Sequence, residues 1–325
     1  MRLLRRILPE ALFWVLSQAV GKLHRLRGQR GWAIGRFRNG GRRPQRPAAG
    51  LGLWPTRRRR IKPGFAFSPR RPIAKTLPAI AKVKGLKKWA TCSPDYAYGR
   101  DTTGEFVYYL KQFAPDVEII SDSWPKLFQP DYTEVVTKIL QAKPQAMYSA
   151  LWGGDLTSYI DQANIYALFS QMEVFAVNMA DYTALTVVKN LPKGIHSGNR
   201  YIKTYPATAE NAAWGDAYKA KFNEYPTNWS WENATAMMLI AEASRKANSA
   251  DGKKLADAMR GLTIKSPFGA DGTVTMRAED QTLIGYAIGW GTTIPNEPYV
   301  PEVKSGDWKQ ILALEAEWKK TKGYT

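Results

Sequence analysis

Between residues 86 and 182 an apolar run, a turn and a helical pattern follow one another three times, and that recurrence narrows the fold more than any other feature. Leu86 to Cys92 reads as a strand, Ser93 to Gly99 as a turn-rich loop, and Asp101 to Phe113 as a helix with Phe106, Leu110 and Phe113 on one face. Ala114-Pro115 ends it. Val117 to Trp124 is the next strand. Asp131-Tyr-Thr-Glu134 has the form of a capping box, opening a helix with an apolar stripe of Val135, Ile139 and Leu140 that Pro144 stops. Ala146 to Leu151 is a strand, Trp152-Gly153-Gly154 a turn, and Asp155 an N-cap for a helix to about Leu168. Val174 to Asn178 follows as a third core strand, then Met179 to Tyr182 and another helix.

Strand, loop and helix in this order give βαβ units, hence a parallel sheet flanked by helices, an α/β fold. Right-handed crossovers place every strand-to-helix loop on one edge of such a sheet. That edge gathers Tyr96 and Tyr98, then Trp152, Gly153 and Asp155, then Asn178, Asp181 and Tyr182. Open α/β sheets take their ligands there, because helix N-termini offer N–H donors and a favourable dipole.

Beyond Lys193-Gly194 the pattern becomes mostly helical. Ala209–Asn223 carries Trp214, Tyr218 and Phe222, Trp231–Asn248 is Ala/Met-rich, and Gly252–Leu262 makes a third helix. A tight turn at Ser266–Thr273 leads into Val274, Thr282–Trp290 reads as one strand, and Asp307–Lys322 is an amphipathic helix.

The first 75 residues follow another regime. They hold 17 Arg, 3 Lys and one acid, Glu10, so the whole formal charge of +19 sits there and the remainder is neutral. Seven Pro, nine Gly and runs such as Arg57–Arg60 leave no sustained period, and a segment of this kind is expected to stay disordered. Pro9 and Glu10 interrupt the apolar stretch that a secretory signal needs. The abrupt change from Arg-rich to Lys-rich usage is what a GC-rich coding region read out of frame produces; an intact upstream reading frame continuous with codon 1 would count against that origin.

Composition also excludes several classes. The lone Cys92 forms no internal bridge, and two histidines, His24 and His196, do not build a zinc cluster of the usual type. No apolar run reaches the ~18 residues of a membrane span. A charge-driven nucleic-acid function has no basis in the neutral remainder, so nucleic acid is an unfavoured partner. There is no nucleophile elbow, Walker loop or His-ligand pair, so neither a catalytic constellation nor a cofactor or metal is called for.

Four segments together resemble the leucine/isoleucine/valine-type periplasmic substrate-binding proteins of ABC importers, the type I binding-protein fold. They are Asp95-Tyr-Ala-Tyr-Gly99, Asp131-Tyr-Thr-Glu through Ala142-Lys-Pro-Gln-Ala-Met147, Trp152-Gly-Gly-Asp155 and Phe268-Gly-Ala-Asp-Gly272. The resemblance implies a two-lobed clamp closing on a small ligand and presenting it to a membrane permease in the periplasm. Residues 76–196 and 286–325 would form the second lobe, and 197–285 the returning part of a first lobe. That lobe is incomplete, because the family carries roughly a hundred further residues, a small domain's worth, before the counterpart of residue 76. Its helices in 197–285 would then expose apolar faces. A sensing module of the same fold is the main alternative.

The resemblance also implies an amino-acid-like ligand and places Tyr98 where the second lobe touches it; a loop tyrosine packed on its neighbour is the plainer reading. Trp152 serves either as an aromatic wall, with Gly153 admitting ligand close to the backbone, or as a plug at the sheet edge. Asp155 is either a helix cap or a contact. Asp181, or Asn178 beside it, lies where the family sets the acid that meets a ligand ammonium. Trp229 and Trp231 precede a first-lobe helix. With half a lobe missing, the chain is expected to bind an amino acid weakly or not at all, and nanomolar binding in a calorimeter would overturn this.

Overall fold

The computed structural model describes residues 85–321, so the expectations for residues 1–75, including the basic arm and His24, lie outside the described residues. The chain runs through β1 (Lys88–Cys92), α1 (Ala97–Phe113), β2 (Glu118–Ser123), α2 (Thr133–Ala142), β3 (Ala146–Ser149), α3 (Gly153–Ile165) and β4 (Glu173–Ala176). Next come β5 (Ala180–Asp181), α4 (Tyr182–Leu185) and β6 (His196–Tyr201). Three helices follow, α5 (Ala209–Phe222), α6 (Asn228–Ala247) and α7 (Gly252–Met259), then β7 (Thr263–Lys265), β8 (Thr273–Met276) and β9 (Leu283–Ile284). β10 (Gly289–Thr292), β11 (Val303–Ser305) and α8 (Trp308–Thr321) close the described part.

The larger sheet has the order β11-β10-β6-β4-β3-β1-β2, with β5 paired to β6. From β2 across to β6 neighbouring strands are parallel, whereas β10 and β11 run antiparallel. Helices cover both faces of the central strands, so β1 keeps all but Lys88 buried and β3 is buried throughout. This is why those strands read as solid apolar blocks without alternation. Phe106 on α1 stacks on Tyr148 of β3 at 3.9 Å, and Trp89 of β1 lies against Phe106 and Phe175. Each such ring contributes about 2–3 kcal/mol by leaving water.

Several boundaries differ from the sequence expectation. α1 begins at Ala97, so Tyr98 and Gly99 belong to its first turn and not to a loop. Gly99 is required there: a Cβ would stand 2.0 Å from the Pro94 carbonyl oxygen. The expected capping box reduces to its aspartate half, with Asp131 accepting the Thr133 N–H at 2.8 Å and α2 starting one residue after Tyr132. Of the expected stripe, Ile139 is fully buried and Val135 and Leu140 pack partly buried against the core, with Val136 buried beside them. α3 ends at Ile165, and the single strand read over Thr282–Trp290 is two strands in different sheets, β9 and β10. Gly285, with φ of +81°, turns the chain between them.

The segment between β6 and β10 contains, besides its three helices, a three-stranded antiparallel sheet β7-β8-β9. Among the described residues the exposed large hydrophobic side chains are Leu127, Phe128, Ile165, Tyr166 and Val187, none of them in 197–285. The apolar side chains of α6 there, among them Met237, Met238 and Ile240, are partly buried. Trp231 packs on Phe268 and Tyr286, and Trp214 on Phe268, so these aromatics make an internal core.

α8 straps the two sheets together. Tyr109 of α1 donates to the Leu314 carbonyl at 2.8 Å, while Arg277, just past β8, bonds Asp280 and both Glu315 oxygens. Lys319 adds contacts to Asp280 at 3.3 Å and Glu315 at 3.1 Å. Burial raises the Asp280 carboxyl, but the bond and charge of Arg277 prevail and hold it at about 2. A carboxyl depressed in the fold stabilises it above its unfolded value and loses that contribution on acidification. Arg277→Ala should therefore cost about 2 kcal/mol at neutral pH. It should also flatten the fall in stability between the ordinary aspartate value of 3.8 and about 2, as chemical denaturation across that range would report.

Candidate ligand-binding site

The C-terminal ends of β1, β3 and β4 lie side by side, and the loops leaving them are bonded to one another through buried polar side chains. Ser93, fully buried after β1, accepts from Thr103 Oγ1–H at 2.8 Å and from the Ala150 N–H at 3.1 Å. This fastens the loop after β1 to the loop after β3. Asn178, just past β4 and 2% exposed, donates from Nδ2 to Tyr98 Oη at 2.8 Å and to the carbonyls of Ala150 and Leu151 at 3.2 and 2.9 Å. One amide group after β4 thus joins the first turn of α1 to the loop after β3.

An aromatic shelf stands on this floor. Trp152 Nε1–H donates to Tyr96 Oη at 2.9 Å, and the Tyr96 and Tyr98 rings are 5.7 Å apart. All three side chains are half-buried. Trp152 is extended and is the N-cap of α3, whose first residue, Gly153, has φ of +55°. That backbone favours glycine, and no atom stands within 4 Å of where a Cβ would be. Tyr98, Trp152, Gly153 and Asn178 are thus brought together at one mouth.

The two acids serve other contacts. Asp155 is the third residue of α3, not its cap, and its Oδ2 accepts the Phe128 N–H at 3.1 Å from the loop after β2. Burial pushes its carboxyl up, partly opposed by that N–H bond. Asp181 is fully buried: Oδ1 accepts from the Thr183 N–H and Oγ1–H, both at 2.8 Å, and Oδ2 from the Asn228 N–H at 3.0 Å. It therefore caps α4 and at the same time holds the first residue of α6. Tyr182, next to it, stacks on Tyr225 at 4.5 Å, and burial pushes its hydroxyl up to about 12.

Ser93 and Asn228 escaped the sequence reading. A serine ending a strand before Pro94 signals only a turn. Asn228 was missed because the helix was started at Trp231, although Thr227 and Ser230 carry the cap, Ser230 Oγ accepting the Thr227 N–H at 3.0 Å. Trp229 and Trp231 both lie inside α6; Trp231 is core, and Trp229 is half-buried.

Other chemistry-bearing residues lie elsewhere. His196 pairs with Glu173 at 2.8 Å and packs on Phe175 at the beginning of β6, and burial raises the Cys92 thiol. A cleft of about 480 Å³ lined by Gln145, Glu173 and Lys193 opens at the opposite, N-terminal edge of the strands. Two of its polar groups are engaged in the fold, Gln145 with the Lys87 and Lys88 N–H groups and Glu173 with His196. The cleft has none of the convergence seen at the mouth.

The family model for periplasmic binding proteins matches residues 64–288, beginning before the compositional break. The chain belongs to the periplasmic binding protein family. Solved structures of this fold resemble it closely. A solute-binding protein of an ABC transporter from Rhodopseudomonas palustris, in complex with 3,4-dihydroxybenzoic acid, is 24% identical with a TM-score of 0.64, over 71% of this chain and 62% of that one. An amino acid ABC transporter substrate-binding protein from Pseudomonas fluorescens is 20% identical with a TM-score of 0.62, over 77% and 68%. A leucine-, isoleucine-, valine-, threonine- and alanine-binding protein from Brucella ovis, in a closed conformation, is 16% identical with a TM-score of 0.59, over 73% and 60%. This periplasmic binding protein chain thus spans about 62% of the length of the Rhodopseudomonas structure. No curated protein sequence matches it.

Asn178→Ala should release the first turn of α1 and the loops after β3 and β4 from one another and leave two buried carbonyls without their donor, costing about 2–3 kcal/mol by chemical denaturation. Tyr98→Phe, which removes one acceptor only, should cost about 1 kcal/mol or less.

Proposed function

We propose that the chain is the solute-binding component of an ABC importer for branched-chain or other amino acids or small organic acids. It acts in the periplasm by handing its ligand to a membrane permease. The observation that carries this reading is the Asn178 tie, which draws the first turn of α1 and the loops after β3 and β4 into one aromatic-walled mouth at the C-terminal edge of the parallel strands. Family membership and the ligand classes of the similar transport proteins support it.

Residues 76–196 with 286–325 act as the second lobe, and 197–285 belong to the first. Tyr98 and Trp152 cover the ligand, Gly153 brings it close to backbone N–H groups, and Asn178 fixes the floor; Asp155 and Asp181 brace the rim. Ligand touching both lobes shifts an open–closed equilibrium, and the closed form docks on the permease. Binding and release need no bond making, so the protein carries no catalytic step.

A solute with a dissociation constant near 1 mM, present at about 10 mM, stabilises the fold by about 1.4 kcal/mol. Thermal denaturation with a panel of amino acids and small carboxylates should therefore show a rise of about 2–4 °C for at least one of them. Asn178→Ala should abolish that rise. A flat response across the panel would count against a solute-binding role.

A further inference from the structure

The chain passes between the two segments read as lobes at β6 and again between β9 and β10. Tyr205, close to the first crossing, donates to the Ile288 carbonyl at 3.0 Å and to Ser305 Oγ at 2.8 Å. Contacts of this kind lie on the connecting strands and persist through a rotation about them. A second group of contacts joins the segments differently. It is made by the end of α5, the turn after it and the beginning of α6, none of which carries the chain across.

Asp181, in the second-lobe segment, keeps Oδ1 on Thr183 and uses Oδ2 to accept the Asn228 N–H of α6 at 3.0 Å. The Tyr182 ring stacks on Tyr225 at 4.5 Å with 18° between the planes, and Tyr299 meets Tyr182 edge-on at 6.4 Å. Lys219 Nζ lies 3.9 Å from the centre of the Tyr225 ring and 4.0 Å from Glu297 Oε1. Both sides of every pair are groups of the protein itself, so they draw the lobes together independently of any solute. Parting the lobes would separate a fully buried carboxylate from its N–H donor and bring water between two stacked rings.

We propose that Asp181 with Asn228 and Tyr182 with Tyr225 form a latch that holds the two lobes together before a solute arrives, with Lys219, Glu297 and Tyr299 steadying the rings. Tyr225 is a positioning residue for closure. The latch rests on the two-lobe reading given above and adds what biases the open–closed balance: a clamp that supplies part of its own closure asks less of the ligand.

The test places nitroxide labels at Lys126→Cys, on the loop after β2, and at Lys246→Cys, near the end of α6. Both side chains are exposed, whereas Cys92 is fully buried. β2 is the strand farthest from β6 in the sheet, so rotation of the lobes moves its label most. Pulsed electron resonance on the full chain, with no solute added, should give one narrow distance. Tyr225→Ala should bring in a second, longer distance through a fall of about tenfold or more in the closed-to-open ratio, and Tyr225→Phe, which keeps the ring, should restore the single one. Asn228→Pro removes the N–H that Asp181 accepts at the first helical position, where proline is tolerated, and should also lengthen the distance. Adding it to Tyr225→Ala should enlarge the longer component.

Two distances before any latch residue is changed would overturn the proposal. So would an unchanged distance in whichever of these variants keeps its circular dichroism spectrum. The labels report without a solute, so the two readings fail separately. A lengthened distance beside a flat response to the solute panel keeps the latch and ends the solute-binding role. An unchanged distance beside a raised melting temperature ends the latch alone.

Discussion

A single buried amide decides the geometry of the mouth. Asn178 leaves the end of β4 with its Nδ2 inside the protein, and the first turn of α1 and the loop after β3 supply its acceptors. An unpaired amide at that depth is costly, and so is an unpaired carbonyl, so the helix turn and the two loops hold one another in register. Ser93 repeats the arrangement one layer over by accepting from α1 and from the loop after β3. The aromatic shelf of Tyr96, Tyr98 and Trp152 is thus supported by bonds within the sheet edge before any ligand arrives.

Two further sets of polar contacts tie this edge to the rest of the chain. Asp181 fixes the beginning of α6, and the cluster of Arg277, Asp280, Glu315 and Lys319 fixes α8 against the small sheet. Both join elements far apart in sequence. Both also put charge where one partner's loss leaves the other half-buried and uncompensated, which makes them sensitive joints. Both carboxylate oxygens of Asp181 are consequently engaged in holding helices.

Much of this was legible in the residues. The three crossover units, the shared edge and the convergence of Tyr98, Trp152 and Asn178 follow from the order of strands and helices and the rule of right-handed connection. The part that was not legible is local in sequence but decided at long range. Asp155 has the chemistry of a cap, yet its oxygen serves Phe128, a residue brought near by α3 packing beside the loop after β2. Thr282–Trp290 has the apolar content of one strand, but two sheets compete for it and Gly285 lets each take half. Tyr98 was read as loop because Pro94 and Gly99 punctuate it, whereas Gly99 serves to let the first turn of α1 lie on the Pro94 carbonyl.

The sequence by itself determined the α/β class, the succession of βαβ units and the edge at which the candidate site lies, because hydrophobic period and chain direction are properties of neighbouring residues. Only the tertiary structure decided which polar side chains are spent on holding loops and helices together and which face the mouth. Asp181 and Asn178 stand three residues apart and are both buried, yet one ties α6 and the other ties the crossover loops. Apart from Thr183, two residues on from Asp181, the groups that claim them come from 27 to 80 positions away, a distance over which no local pattern carries information.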